Sequence, residues 1–383
     1  MNLGPISDSK EIMRYSRVHL ESIGYELAPV VVSSAELEQR LEPLYKSLRM
    51  EPGQLEALTG ISERRWWEKD YPLSNGAAAA AKKALAQSNL QASDIDILIY
   101  AGVCREQLEP ATACHVASQI GISADASMFD ISNACLGVLN GIIDIANRIE
   151  LGQCRAGLVV SCETAREINE TMIDQMLQNG SMDSYRNAIA TLTGGSGAVA
   201  VLVVDRELAT NGRRKLLGGA TKNASQHHGL CRWGWESFLP KVVDRILGTE
   251  VGGLFRKSYD IGIKHCVTPF MATDAGSVLK FGVDLGLKTW NSFLTKVGWG
   301  VEQIEKVICH QVGAGHRDAI LRTLNISPEK EFSTFEYLGN IGTVSLPLTA
   351  ALAEERDFLK PGDRVGFLGI GSGLNCMMMG LEW

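Results

Sequence analysis

Three residues far apart in this chain have the types and settings that nucleophilic catalysis needs. Cys135 lies in Phe129-Asp-Ile-Ser-Asn-Ala-Cys135-Leu-Gly, which reads as a strand, a tight turn and the start of a helix. A sulfur at a helix N-terminus meets free N–H groups and partial positive charge, and both favour the thiolate. The thiolate is the form that attacks a thioester carbonyl. A single cysteine is ordinarily a small buried apolar group, so the expectation rests on its company. His310 closes the apolar run Val307-Ile-Cys-His, and Asn340 lies in Tyr337-Leu-Gly-Asn-Ile-Gly at a turn-to-helix position. Taken singly, one is an ordinary core histidine and the other an ordinary cap. Together they suit hydrogen bonding to an oxygen that gains charge near Cys135.

Two glycine-rich runs bear on the same site. Gly369-Ile-Gly-Ser372-Gly-Leu follows a strand but opens no βαβ unit, which argues against a dinucleotide fingerprint. It reads as a turn whose backbone N–H groups face the cysteine. Gly194-Gly-Ser-Gly-Ala lacks the lysine of a phosphate-binding loop and reads as close backbone packing.

The elements that must position these residues alternate in type. Strands are expected at 96–103, 156–161, 198–204, 307–312 and 365–370, and helices at 76–88, 136–151, 280–297, 316–324 and 346–358. Continuously apolar strands between helices imply an α/β protein with mainly parallel strands covered on both faces. A pattern of helix, turn, buried strand, helix, Phe-containing strand (Phe129, then Phe335), sharp turn and long helix recurs after about 200 residues. The chain therefore divides into two similar halves, 1–215 carrying the cysteine and 216–383 carrying the histidine and asparagine, with an insertion near 222–270. Cys135 and Asn340 hold matching places in the two halves, so a pseudo-twofold axis would bring them together. Within the insertion, Trp233 to Leu247 has the spacing of an amphipathic helix that covers the core, a subunit interface or an acyl channel.

Composition narrows the function. The chain has 383 residues, 45% of them hydrophobic, and a net charge of −7. That balance, with no basic run, excludes nucleic acid as the main partner. No apolar stretch is long enough for a membrane span or a signal peptide. Nine cysteines without a C-x-x-C pair indicate a reduced, cytoplasmic protein. His227, His228, His265 and Cys266 fit no closed zinc pattern, so no metal is expected.

Thr59-Gly-Ile-Ser-Glu-Arg-Arg, the Cys135 turn, Gly195-Ser-Gly-Ala, His310-Gln, Gly339-Asn-Ile-Gly and Gly371-Ser-Gly occur in one order across nearly the whole chain. This set resembles the thiolase superfamily, in its ketoacyl-carrier-protein synthase III branch. The resemblance implies a thiolase-like five-layered αβαβα fold with two pseudo-repeated halves, a homodimer, and a Cys135-His310-Asn340 site. It also implies an oxyanion hole from the backbone N–H of Cys135 and of a residue near Ser372. Bound cofactors are not implied; thioesters of coenzyme A, or of phosphopantetheine on an acyl carrier protein, are the implied substrates.

One segment separates branches. Leu108-Glu109-Pro-Ala-Thr puts a glutamate where ordinary synthase III enzymes carry an apolar residue that reaches the partner's acyl site. That context, with Trp66-Trp67 and Met271-Ala-Thr-Asp, is similar to the condensing thiolases of bacterial long-chain olefin and ketone biosynthesis. The activity so implied is a non-decarboxylating Claisen condensation of two fatty acyl-CoA molecules. Removing an α-proton needs a base, and a partly desolvated Glu109 has the chemistry for it. The alternatives are a decarboxylating synthase III that uses a malonyl thioester, a thioester hydrolase, and an idle binding subunit.

Overall fold

The computed structural model describes residues 13–210, 214–237 and 267–383. Its strands are β1 Val18–Leu27, β2 Val30–Ser33, β3 Glu63–Trp66, β4 Ile97–Ala101, β5 Ser127–Ile131, β6 Ala156–Glu163, β7 Gly197–Asp205, β8 Lys215–Asn223, β9 Cys231–Ser237, β10 Val267–Thr273, β11 Lys306–Cys309, β12 Arg364–Gly371 and β13 Asn375–Glu382. The α-helices are α1 Ser34–Arg40, α2 Glu42–Leu48, α3 Gln54–Thr59, α4 Leu73–Ala86, α5 Thr112–Ile120, α6 Gly137–Glu150, α7 Arg166–Asn179, α8 Met182–Leu192, α9 Ala275–Val297, α10 Ala314–Leu324, α11 Phe335–Leu338 and α12 Ser345–Glu355.

Nine strands run in the order β11-β12-β13-β8-β1-β7-β6-β4-β5. At the middle, β1 meets β8 through a single pair, His19 with Lys215. Outward from that seam the two sides repeat each other. Each first strand (β1, β8) pairs antiparallel with its last (β7, β13), which pairs antiparallel with β6 or β12, and then comes a parallel neighbour, β4 or β11. Beyond β4 lies β5; beyond β11 the matching place holds only the bridge between Val307 and Glu331.

Alternation along the strands builds five layers. In β7, Val199, Val201 and Val203 face a central core, while Ala198, Ala200, Leu202 and Val204 face an outer one. In β13, Met377, Met379 and Leu381 face the central core and Cys376 and Met378 the far outer one. Helices α6 and α12 fill the central core between the two sheet halves. Helices α4 and α5 cover one outside, and α9 and α10 the other.

Three expectations change. The large sheet is mixed, with five of its eight neighbouring pairs antiparallel. Continuous apolar runs report burial on both faces, which helix layers supply whatever the strand direction. Phe335 lies in the helical turn α11, not in a strand, because Gln311 Oε1 accepts the N–H groups of Thr334 and Phe335 at 2.8 and 3.2 Å and so caps that turn. Trp233 and Trp235 lie in β9, paired antiparallel with β10, not in a helix. Cys231, Trp233 and Trp235 alternate with period two, which suits a strand. The rest of that expected helix, from Phe238 to Leu247, falls outside the described residues.

Candidate active site

The Cys135 turn is built from the end of β5 and the start of α6. Ala134 adopts a positive φ of 46°, in the left-handed region that residues with a Cβ rarely occupy. The turn closes through Leu136 N–H to Asn133 O at 2.9 Å. Asn133 is held from two sides: its Nδ2 donates to Asn140 Oδ1 at 2.8 Å, and its Oδ1 accepts from Asn375 Nδ2 at 3.0 Å. The closing turn between β12 and β13 is thereby fixed against the cysteine. Its backbone approaches so closely that a Cβ on Gly371 would lie 3.3 Å from Cys135 N.

Asn340 comes from the matching turn of the second half. Its N–H donates to Thr193 O and its carbonyl accepts from Gly195 N–H, both at 2.9 Å. A Cβ on Gly195 would lie 2.1 Å from Leu338 O, so the glycine-rich run serves close packing. Asn340 Oδ1 accepts from Gly342 N–H at 3.0 Å. The side-chain carbonyl is engaged, which turns Nδ2 toward the role of donor. His310 follows β11, where its N–H donates to Leu368 O at 2.9 Å.

Cys135, His310, Asn340 and Ser372 all line one cavity of about 550 Å³. Apolar side chains such as Ile168, Val278, Ile320 and Met378 form much of its wall, and Trp233 and Met271 reach it from β9 and β10. Glu109 is not in that wall. It is exposed, beside Leu108, which is 98% exposed.

Burial sets the protonation of the pair. It pushes the Cys135 thiol up to about 12, with the neighbouring Cys231 and Glu163 adding to the effect. It pulls the His310 imidazole down to about 4, with His316 contributing. Both shifts favour the uncharged forms, a thiol and a neutral imidazole. Desolvation in the cavity and the helix N-terminus act on the thiol in opposite directions. His310 Nδ1 and His316 Nε2 are buried without a hydrogen-bond partner among the described residues.

Two family profiles match the chain: "Thiolase, N-terminal domain" over residues 57–194 and "3-Oxoacyl-[acyl-carrier-protein (ACP)] synthase III C terminal" over residues 294–383. The acyl-CoA:acyl-CoA alkyltransferase of Shewanella oneidensis is 54% identical over 374 residues, which is 97% of this chain and 100% of that protein. The chain belongs to the acyl-CoA:acyl-CoA alkyltransferase family, in the thiolase superfamily. The Xanthomonas campestris alkyltransferase is 33% identical over 97% of this chain and 100% of its own length. A cysteine-to-alanine variant of Xanthomonas campestris OleA superposes with a TM-score of 0.85 at 31% identity, covering 99% of this chain and 100% of that one. A cysteine-to-serine OleA with bound lauric acid and lauroyl-CoA gives 0.82 at 32% identity, covering 96% and 100%.

In this member of the alkyltransferase family, two acidic and polar groups beside the cysteine escaped the sequence reading. Glu163 ends β6, lines the cavity, and accepts the N–H groups of Val103 and Cys104 at 2.9 and 3.0 Å. Burial raises its pKa against those hydrogen bonds. The signal was present, since Glu163 closes an apolar strand as His310 does. Thr343 Oγ1 accepts from Val138 N–H at 2.7 Å, a contact across the two halves that no local pattern announces. Of the four residues considered for zinc, His227 stacks on Phe281 at 3.8 Å and His265 and Cys266 lie outside the described residues. Among the described residues no group of three or more His, Cys, Asp or Glu is placed to hold a metal ion, and no helix is long and apolar enough to cross a membrane.

Proposed function

We propose that this chain joins two fatty acyl-CoA molecules by a non-decarboxylating Claisen condensation through an acyl-Cys135 intermediate. The observation that carries the reading is the shared cavity: Cys135, His310, Asn340 and Ser372 open onto one largely apolar space in a chain of this family. The lauroyl-CoA bound to an OleA variant supports the substrate class.

The first acyl-CoA meets a neutral thiol. Cys135 sulfur attacks the carbonyl carbon while its proton passes to the neutral His310. The tetrahedral oxyanion takes the backbone N–H groups of Cys135 and Ser372. The C–S bond to coenzyme A breaks, the coenzyme A sulfur takes the proton, and acyl-Cys135 remains. A second acyl-CoA then gives up an α-proton. His310 and Asn340 Nδ2 hold the enolate oxygen, and Glu109 of the partner subunit takes the proton. The enolate carbon attacks the acyl-Cys135 carbonyl, and the C–S bond to Cys135 breaks. A β-ketoacyl-CoA leaves, and the thiolate sulfur takes back the proton that Glu109 had removed, which restores both groups.

The homodimer is part of this proposal. Glu109 is exposed and outside its own chain's cavity, and the fully exposed Leu108 beside it suits an interface. A cytoplasmic setting agrees with the free cysteines. Incubation with a fatty acyl-CoA, with and without a malonyl thioester, tests the function. A β-keto product carrying two fatty chains, formed without malonyl thioester, is expected. A strict need for malonyl thioester would replace this reading with a decarboxylating synthase.

A further inference from the structure

The cavity wall supplied by α9 contains two glycines, Gly282 and Gly286. Four residues apart, they share one helical face. Glycine inside a helix is the least favourable residue short of proline, so its place there calls for a physical reason. Backbone crowding is not that reason. Among the described residues, a Cβ on Gly282 would meet only Ile370 Cδ1, at 2.9 Å, and one on Gly286 only Ile320 Cδ1, at 2.8 Å. Both contacts are the far ends of flexible side chains, and both isoleucines line the same cavity. The missing side chains therefore leave room for whatever occupies the cavity, and added ones would push the isoleucines into it. The same cavity is lined by Cys135, His310 and Asn340.

The two positions differ in depth. Gly282 faces Ile370, the chain neighbour of the Gly371 that abuts Cys135 N. Gly286 lies about 6 Å further along the helix, against α10.

We propose that Gly282 and Gly286 set the length of the acyl chain that the Cys135 cavity accepts, Gly286 controlling the deeper part of that arm. This rests on the reading of the cavity as a fatty acyl thioester site. Larger side chains there should cut the accepted chain short, Gly282 more severely than Gly286.

The experiment compares wild type, Gly282→Val, Gly286→Val, and the relief pairs Gly282→Val with Ile370→Ala and Gly286→Val with Ile320→Ala. Each receives acyl-CoAs from decanoyl- to palmitoyl-CoA, with product chain lengths read by mass spectrometry and folding read by thermal melting. The valine variants should lower kcat/KM for the longest substrate, relative to the shortest, by about tenfold or more. The relief pairs should restore it. Should a valine variant fail to fold, Gly282→Ala and Gly286→Ala replace it, since alanine favours the helix and still adds the Cβ. Folded variants that keep the wild-type length profile would overturn the inference. A wild type that condenses no acyl-CoA of any length would sink the functional reading instead, and this inference with it.

Discussion

Thr343 Oγ1 accepts the backbone N–H of Val138 at 2.7 Å, so the second half of the chain caps the helix that begins beside Cys135. That N–H is one of the helix-start donors that lack a partner within the helix, and Val138 is fully buried. Replacing Thr343 with Val keeps the shape and removes the acceptor. Unfolding free energy should fall by about 1–3 kcal/mol, and acylation of Cys135 should slow because its turn is no longer held. Thr343→Ser should recover both. Denaturant unfolding and a single-turnover acylation assay would measure them, and a Thr343→Val protein matching wild type in both would refute the link.

Cys135 should be the acylation site. Cys135→Ala and Cys135→Ser should melt near wild type and form no covalent acyl-enzyme from acyl-CoA. Intact-mass and peptide-mass analysis would find the acyl group on Cys135 in wild type. An acyl group on Cys162 or Cys309 would contradict the assignment. Both are buried, and burial raises their thiols well above the ordinary value.

The pH dependence follows from the neutral pair. His310 binds its proton near 4 in the fold, against about 6.5 in an unfolded chain. Between those values the unfolded state holds more protons, so this group's share of stability is present above about pH 6.5 and lost as pH falls toward 4. The size is about 3 kcal/mol. His310→Asn should flatten that part of the stability profile, with His316 leaving some slope because burial lowers its pKa too. Cys135, raised to about 12, works in the opposite sense. Its contribution holds at neutral pH and disappears as pH rises through the unfolded thiol value toward 12. Urea unfolding across pH would show both limbs in wild type, and an unaltered acid limb in His310→Asn would contradict the account.

Glu109 should act on the cysteine of the other subunit. Mixed dimers of one Cys135→Ala chain and one Glu109→Gln chain should retain about one working site of two, because the intact Glu109 faces the intact Cys135. Tandem purification with two tags isolates that species. If it is inactive while each parent variant dimerises normally, Glu109 does not work in trans.

The site was more legible than the scaffold around it. Cys135, His310 and Asn340 each stand where an apolar element ends in a polar residue, and the matching places of Cys135 and Asn340 in the two halves were readable from repeated order. Their convergence on one cavity follows from that repetition. Strand direction was not readable, because Ala198 to Val204 looks the same whether its neighbours run parallel or antiparallel. The strand character of Trp233 and Trp235 was hidden by apolar residues downstream that share a helical spacing. Glu163 was visible by the same logic as His310 but was passed over inside a run of small polar residues. Thr343 and the Asn133–Asn375 bond are contacts across about 200 or more residues of chain, and only the folded sheet order brings them together.

Proton removal from a fatty acyl-CoA, and not loss of carbon dioxide, should supply the carbanion of the condensation. Purified wild type and Glu109→Gln, each given myristoyl-CoA as the sole thioester, test it directly through the mass of the product and of the enzyme. Wild type should release a β-keto product containing two myristoyl chains, while Glu109→Gln should stop at myristoylated Cys135. Equal product from both proteins would contradict the role of Glu109, and acyl-enzyme without product in wild type would contradict the condensation itself.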